Sequence, residues 1–368
     1  MIKRIARILF FVVLWSAVVG YIVYASVITS RHRAMQVVER VNIEVTDSTD
    51  MGQLVTSQKV REWILRSGIA TIGSPIDKID VAGIRHAVER NGFVSRVDVC
   101  VSYSGVLSIA VSQRRPMMRL MTDGYNVYVT EQGFVFASPE SSSLYVPVVT
   151  GSYRPPIPPS YEGLAADYVA GMLARYDDDI KRIGREKRPL YAREDSLRAI
   201  RREVRRMRLD KVWFETEDEH IVRVEELRTA KKQRTCYYDG LLRDVGRSID
   251  AVSARQEVVT QKRKKTEERY ADFLKLINFV GWLESDSFWS SEVVQIIASD
   301  GVSGAIELEI VPRSGDFRIL LGELGETNVM QRRFDKLFRF YRDGLGRIGW
   351  DKFRKIDVRY NNQVVCTE

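Results

Sequence analysis

Histidine and cysteine are scarce in this chain, three of each in 368 residues, and their scarcity removes whole classes of chemistry. His32, His86 and His220 are far apart, and no H-E-x-x-H spacing surrounds any of them. His86 reads as a surface residue beside Arg85 on a helix. Cys100, Cys236 and Cys366 are odd in number, widely spaced and without metal-ligand spacing. One pair is free to oxidise outside the cytoplasm, but no disulfide scaffold follows. There is no G-x-S-x-G elbow, no Walker loop and no G-x-G-x-x-G after a strand. Asp177-Asp178-Asp179 lacks the spaced oxygen ligands of a calcium loop. The expectation is a protein without catalytic residues, metal or cofactor. A membrane-bound hydrolase with an unrecognised site is the enzymatic alternative, tested by turnover of peptidoglycan.

What the chain does have is one uninterrupted uncharged run, Ile8 to Ile28. About 21 residues at ~1.5 Å each give ~32 Å, the thickness of a bilayer's hydrocarbon core. A cleaved signal has an apolar core of roughly 7–15 residues followed by a small-residue cleavage site, and no convincing site is present. The run is therefore read as a single transmembrane helix, 8–28, after a tail, 1–7. Lys3, Arg4 and Arg7 precede it while Arg31 and Arg33 follow, which places the amino terminus in the cytoplasm. The remaining body of about 340 residues then lies across the membrane.

The composition of that body, 45% hydrophobic and 29% charged, is ordinary for globular protein, and the length suggests two or three domains. The net charge of +8 raises nucleic-acid binding as a possibility. Over half of the excess sits in residues 160–270, with about 27 Lys/Arg against about 22 Asp/Glu. Mixed-sign charge of this kind is the solvated face of helices, and no interleaved stacking aromatics or zinc pattern accompanies it. No nucleic-acid partner is expected.

A strand is predicted from Val37, Val38, Val41, Ile43 and Val45. A helix follows Ser57 with Val60, Trp63 and Ile64, closing at Ser67-Gly68. Asp80 is placed to cap a second helix carrying Ile84, Ala87 and Val88, which stops at Asn91-Gly92. Val97, Val99 and Val101 then pair with Val106 to Val111 across a Tyr103-Ser104-Gly105 turn. The order strand, helix, helix, strand, strand defines a small α+β module over 37–113. Beyond Gln113-Arg114-Arg115-Pro116, Tyr125 to Val129 and Phe134 to Phe136 form a hairpin around Thr130 to Gly133. Tyr145 to Gly151 is a short strand, and the prolines of Arg154 to Pro159 enforce an extended linker.

Charged residues with a narrow apolar stripe come next. Leu197, Ile200, Val204 and Met207 follow helical spacing, as do Leu241, Leu242, Val245, Ile249 and Val252. Antiparallel helices or a coiled-coil arm are expected, with Val212 to Phe214 and Ile221 to Val224 as a small hairpin between them. The arm is either merely solvated or a docking surface for another protein or the negatively charged envelope, with Arg198 to Arg208 as the contact stretch. A helix, Tyr270 to Leu283, buries Phe273, Leu274, Ile277 and Val280. Strands follow at Val293 to Ile297, Ala305 to Val311 and Phe317 to Leu321. A last helix, Val329 to Tyr341, packs through Val329, Phe334, Leu337, Phe338 and Tyr341, before strands at Lys355 to Tyr360 and Gln363 to Cys366.

This order of parts resembles the bacterial cell-division family FtsQ/DivIB, in a Bacteroidetes-like form with a long insertion. The 37–113 module is similar to a POTRA domain. Gln113-Arg114-Arg115-Pro116 is similar to the family's basic-x-Pro junction, Glu131-x-Gly133 to its hairpin, and Val146-Pro147-x-Val149-x-Gly151 to its Leu-Pro-x-Leu-x-Gly strand. Lys355-Ile356-Asp357-Val358-Arg359-Tyr360-Asn361-Asn362 resembles its Val-Asp-x-Arg-Tyr strand and turn. The implied fold is α+β: a transmembrane helix, a POTRA-like domain and a mixed β domain in two parts, 114–153 and 269–368. A linker and charged helical insertion, 154–268, separate those parts.

The resemblance implies a non-enzymatic scaffold of the divisome, in the inner membrane at the septum, with periplasmic domains. Its partners would be FtsB- and FtsL-like bitopic proteins and other components of FtsK-, FtsW- and FtsI-like type. They would bind along a C-terminal edge strand at Arg359, Tyr360, Asn361, Asn362 and Val364, with Arg359 on a partner carboxylate and Tyr360 as aromatic anchor. The family's tryptophan beyond this strand has no counterpart before Glu368. A POTRA-bearing envelope chaperone is the alternative; it would carry several such modules or a barrel, and neither pattern is present.

Overall fold

The computed structural model describes residues 13–28, 36–46, 53–138, 144–301, 304–360 and 363–368. Residues 13–28 are helical and exposed. Among the described residues no helix is long and apolar enough to cross a membrane. The first part of the expected span, 8–12, lies outside them, as do His32, Asn361 and Asn362.

The first module follows from alternation and capping. Strand β1 (Arg40–Thr46) is followed by helices α1 (Ser57–Arg66) and α2 (Val81–Glu89), then by β2 (Val94–Val101) and β3 (Val106–Gln113). Thr56 caps α1 by accepting from the Lys59 N–H at 3.3 Å, one residue ahead of the predicted start. Asp80 caps α2 by accepting from the Gly83 N–H at 2.8 Å. These bonds satisfy amides that the first helical turn leaves without partners. The sheet order is β1-β3-β2, with β1 parallel and β2 antiparallel to β3. Val60 and Ile64 of α1 and Ile84 and Val88 of α2 share one core with Val97, Leu107, Ile109 and Val111.

The second sheet has ten strands, ordered β13-β12-β11-β10-β9-β7-β4-β5-β6-β8. The strands preceding the charged region are β4 (Met118–Thr122), β5 (Val127–Val129), β6 (Phe134–Ala137), β7 (Val148–Gly151) and β8 (Gly163–Leu164). Those following it are β9 (Val293–Asp300), β10 (Ile306–Pro312), β11 (Arg318–Glu323), β12 (Lys355–Asp357) and β13 (Val365–Thr367). The two groups join where β7 runs parallel to β9, with Val149 opposite Ile296. Gly151, at φ +111°, makes that approach possible, because a Cβ there would lie 2.1 Å from the Ala298 carbonyl oxygen.

Two long helices carry the charged region. Helix α3 spans Ala165–Arg206, and helix α4 runs unbroken from Glu217 to Ser285. The expected helix at Tyr270 to Leu283 is thus the end of a 69-residue helix, and the boundary placed at 268 has no break. The chain divides into two compact units, one being 155–157 and 165–274, the other the rest. Within the helical unit, Asp177, Glu186 and Arg201 of α3 bond Arg263, Arg255 and Asp239 of α4, so the helices run antiparallel. Leu197, Val245 and Ile249 are buried between them, whereas Ile200 and Met207 are exposed.

No hairpin forms at the turn between these helices. Ile221 to Val224 belong to α4. Thr216 and Glu219 form a capping box: the Thr216 N–H donates to the Glu219 carboxylate at 3.1 Å and the Glu219 N–H donates to Thr216 Oγ1 at 3.4 Å. With Glu217, Asp218 and Glu219 in its first turn, this start is favoured by the helix dipole and overrides the strand-like run of β-branched residues.

In the larger unit the end of α4 and helix α5 (Thr327–Phe340) build an aromatic core. The Phe334 ring meets Trp282 and Trp289 edge-on at 5.0 and 4.8 Å. Met330, Phe334 and Leu337 are buried, while Phe338, expected inside, remains 41% exposed and packs on Phe288 instead.

Candidate functional site

The ten-stranded sheet ends on β8 at one side and on β13 at the other, where among the described residues the single strand neighbour is β12. Such an edge carries a row of N–H and C=O groups open to a further strand. The predicted strand Lys355 to Tyr360 is shorter in the structure: β12 ends at Asp357, and β13 begins at Val365 rather than Gln363. The edge available for strand addition is therefore Val365–Thr367, with Val364 half-buried just ahead of it.

Arg359 is engaged within its own chain. Its Nε and Nη2 donate to the two Asp357 carboxylate oxygens at 3.0 and 2.7 Å, and its backbone N–H donates to Asp357 Oδ1 at 3.0 Å. Burial pushes the Asp357 carboxyl upward, but these bonds and the nearby positive charges of Arg359 and Lys336 hold it below the usual carboxylate range. The Arg359 stem lies over Gly322 of β11, where a Cβ would approach it to 2.7 Å. Gly322 sits at φ +79°. Lys336 of α5 donates to the Val358 carbonyl at 2.8 Å and to that of Tyr360, fastening the segment from the helix side. Burial, with the charge of Arg333, lowers the Lys336 pKa. Tyr360 is 49% exposed, and Val365 of β13 is exposed as well.

Lys336, Gly322 and Asp357 are the neighbours that hold this segment. Asp357 lies within the quoted strand motif, whereas the other two come from elsewhere in the chain and had no local signal.

A second constellation lies at the junction between the two sheets. Alternation along β3 brings Gln113 onto the buried face, where its Oε1 accepts from the Leu54 and Val55 N–H groups at 2.7 and 3.0 Å. Arg114 donates to the Gly92 and Val94 carbonyls at 3.0 and 2.9 Å, and its guanidinium carbon lies 3.5 Å from the Phe134 ring centroid. Phe93 meets Phe136 edge-on at 5.7 Å. The basic junction motif is thus a clasp holding the first module to the second sheet.

Among the described residues, no group of three His, Cys, Asp or Glu side chains is assembled as a metal site requires. Cys100 and Cys236 are exposed and unpaired, and Cys366 is half-buried with its thiol pKa raised by burial.

Residues 36–112 match the POTRA-like domain family, and residues 227–367 match the family described as FtsQ/DivIB, C-terminal related. Together the two matches support an FtsQ/DivIB family member. The second match begins inside α4, so much of the returning arm helix is part of the family-related region. No curated protein is similar enough to the chain to match it. FtsQ/DivIB proteins are non-enzymatic membrane proteins of the division septum, and these two domains point to a scaffold role in cell division.

Proposed function

We propose that this FtsQ/DivIB-family chain is a single-pass scaffold of the divisome. In this reading the run 8–28 spans the inner membrane, the tail 1–7 is cytoplasmic and both sheets are periplasmic. FtsB- and FtsL-like bitopic proteins add a strand at β13, and FtsK-, FtsW- and FtsI-like components assemble around them. The observation that carries the reading is the sheet edge itself: main-chain groups supply affinity there, and neighbouring side chains such as Tyr360 choose the partner. Confinement to one membrane raises effective concentrations among anchored partners, so weak contacts suffice for assembly.

Because Arg359 is paired with Asp357 and Tyr360 is exposed, this reading offers Tyr360 to the partner and leaves Arg359 as its support. Tyr360→Ala is expected to weaken binding of FtsB/FtsL-like partners to the purified chain at least tenfold, with unchanged thermal unfolding. Equal affinity would remove Tyr360 from the interface. In cells, an amino-terminal fluorescent fusion is expected at the septum, with filamentation when the protein is depleted. Uniform membrane signal with normal septation would reject the division reading in favour of the envelope-chaperone alternative.

A further inference from the structure

The turn between α3 and α4 leaves both apolar surface and charge unanswered within its own chain. Trp213 is 101% and Phe214 87% exposed, and Ile221 and Val222 in the first turns of α4 are exposed as well. Exposed apolar side chains grouped in this way mark an interaction surface. The surface is held in place. The Glu215 side chain is 6% exposed and accepts from the Val212 N–H at 3.0 Å and from Arg223 at 2.7 Å. Lys231 donates to the Arg205 and Met207 carbonyls at 2.8 and 2.9 Å, closing the end of α3. Val212, Phe214 and Val222 line an open cleft of about 750 Å³, together with the carboxylates of Asp218, Glu219 and Glu226.

Charge selects the occupant. Residues 198–208, at the end of α3, hold six arginines and one carboxylate, whereas residues 215–226, at the start of α4, hold six carboxylates and one arginine. Among the described residues these two segments do not pair with each other: Arg198 and Arg201 bond Glu194 and Asp239, Arg223 bonds Glu215, and Lys211 bonds Glu217. Arg205, Arg206 and Arg208 on one side, and Asp218 and Glu226 on the other, stay exposed. A purely basic ligand would answer the carboxylates and leave the arginines, and an acidic one would do the reverse. A second copy turned about a two-fold axis answers both, since a self-complementary contact brings each basic segment to the acidic segment of the other copy. It also supplies the apolar part, because Trp213 of each copy is free to enter the cleft of the other.

We propose that two copies of this chain associate through their arm tips, each seating Trp213 in the other's cleft and setting Arg205, Arg206 and Arg208 against the other's Asp218 and Glu226. The proposal stands apart from strand addition at β13.

The test uses the full chain with Cys100, Cys236 and Cys366 changed to Ser and a fluorophore on Asp210→Cys. Donor-labelled and acceptor-labelled chains are mixed in a neutral detergent. Energy transfer is expected at micromolar concentration, and it should fall several-fold in Trp213→Ala. Reversing the basic side, Arg205→Glu with Arg206→Glu and Arg208→Glu, should abolish it at unchanged helix content. Reversing the acidic side, Asp218→Lys with Glu226→Lys, should do the same; Glu219 is kept because it caps α4. Mixing the two reversed variants with each other should restore transfer, since both contacts then join opposite charges again. Absence of transfer in the unreversed chain would overturn the proposal. So would transfer that survives both reversals, or a mixture of the two folded variants that stays dark. Chains that remain separate while vesicles or a different protein shield the probe would overturn it too.

Discussion

At the scale of single residues, two side chains carry unusual weight because each satisfies several groups at once. Gln113 is 3% exposed and serves two backbone N–H groups, so Gln113→Leu leaves both donors dry. An unsatisfied buried donor costs about 1–3 kcal/mol, and urea unfolding should register a loss in that range. Asp357 is comparable: Asp357→Asn weakens the bidentate clasp on Arg359 and is expected to cost about 1–2 kcal/mol. Its pH signature follows from the depressed folded pKa. The stabilisation is complete above the unfolded value of roughly 4 and is lost as pH falls through the lower folded value. Wild type should therefore lose stability on acidification more steeply than Asp357→Asn; parallel acid titrations would remove this carboxylate from the account.

At the scale of elements, the arm is a pair of long helices with a thin apolar seam. Ile249 is 9% exposed and packs with Leu197 and Val245, so Ile249→Ala should cost about 2–4 kcal/mol, measurable as a lower melting temperature of the helical signal. The start of α4 depends on the Thr216 and Glu219 bonds, and Thr216→Ala should cost about 1 kcal/mol. Because the box is exposed and local, the loss should show as faster hydrogen exchange over residues 217–222, with the ten-stranded sheet unchanged. Uniform protection across that first turn would remove the capping box from the account of how α4 starts.

At the scale of the molecule, the ten-stranded sheet is assembled from two chain segments whose strands pair with each other, among the described residues, at β7 and β9. A fragment of residues 36–154 should keep the three-stranded sheet, whose core lies entirely within it, with slowly exchanging amides in β2 and β3. Its β4 and β7 should exchange fast, since β7 has lost one of its two parallel neighbours, β9. Equal protection in both parts would show that the first half of the second sheet folds without the second half.

Much of this organisation was legible from local pattern alone. Alternation specified β2, β3, β10 and β11, and Asp80 announced the start of α2, because strand period and capping are determined by residues a few positions apart. The order of motifs also carried the family. Three things were decided only in three dimensions. The strand-like residues at Ile221 to Val224 joined a helix, since a capping box and an acidic first turn outweigh β propensity. Arg359, which reads as a free contact group, is taken up by Asp357, Gly322 and its neighbours because parallel pairing of β11 with β12 brings residues nearly 40 positions apart together. The outermost strand beside β12 is Val365–Thr367 rather than the longer run read from the sequence, because which strand is outermost is a property of sheet order. The sequence determined what each segment would become, and the tertiary structure decided which of their polar groups remained free, since a hydrogen bond already satisfied inside the fold is no longer on offer outside it.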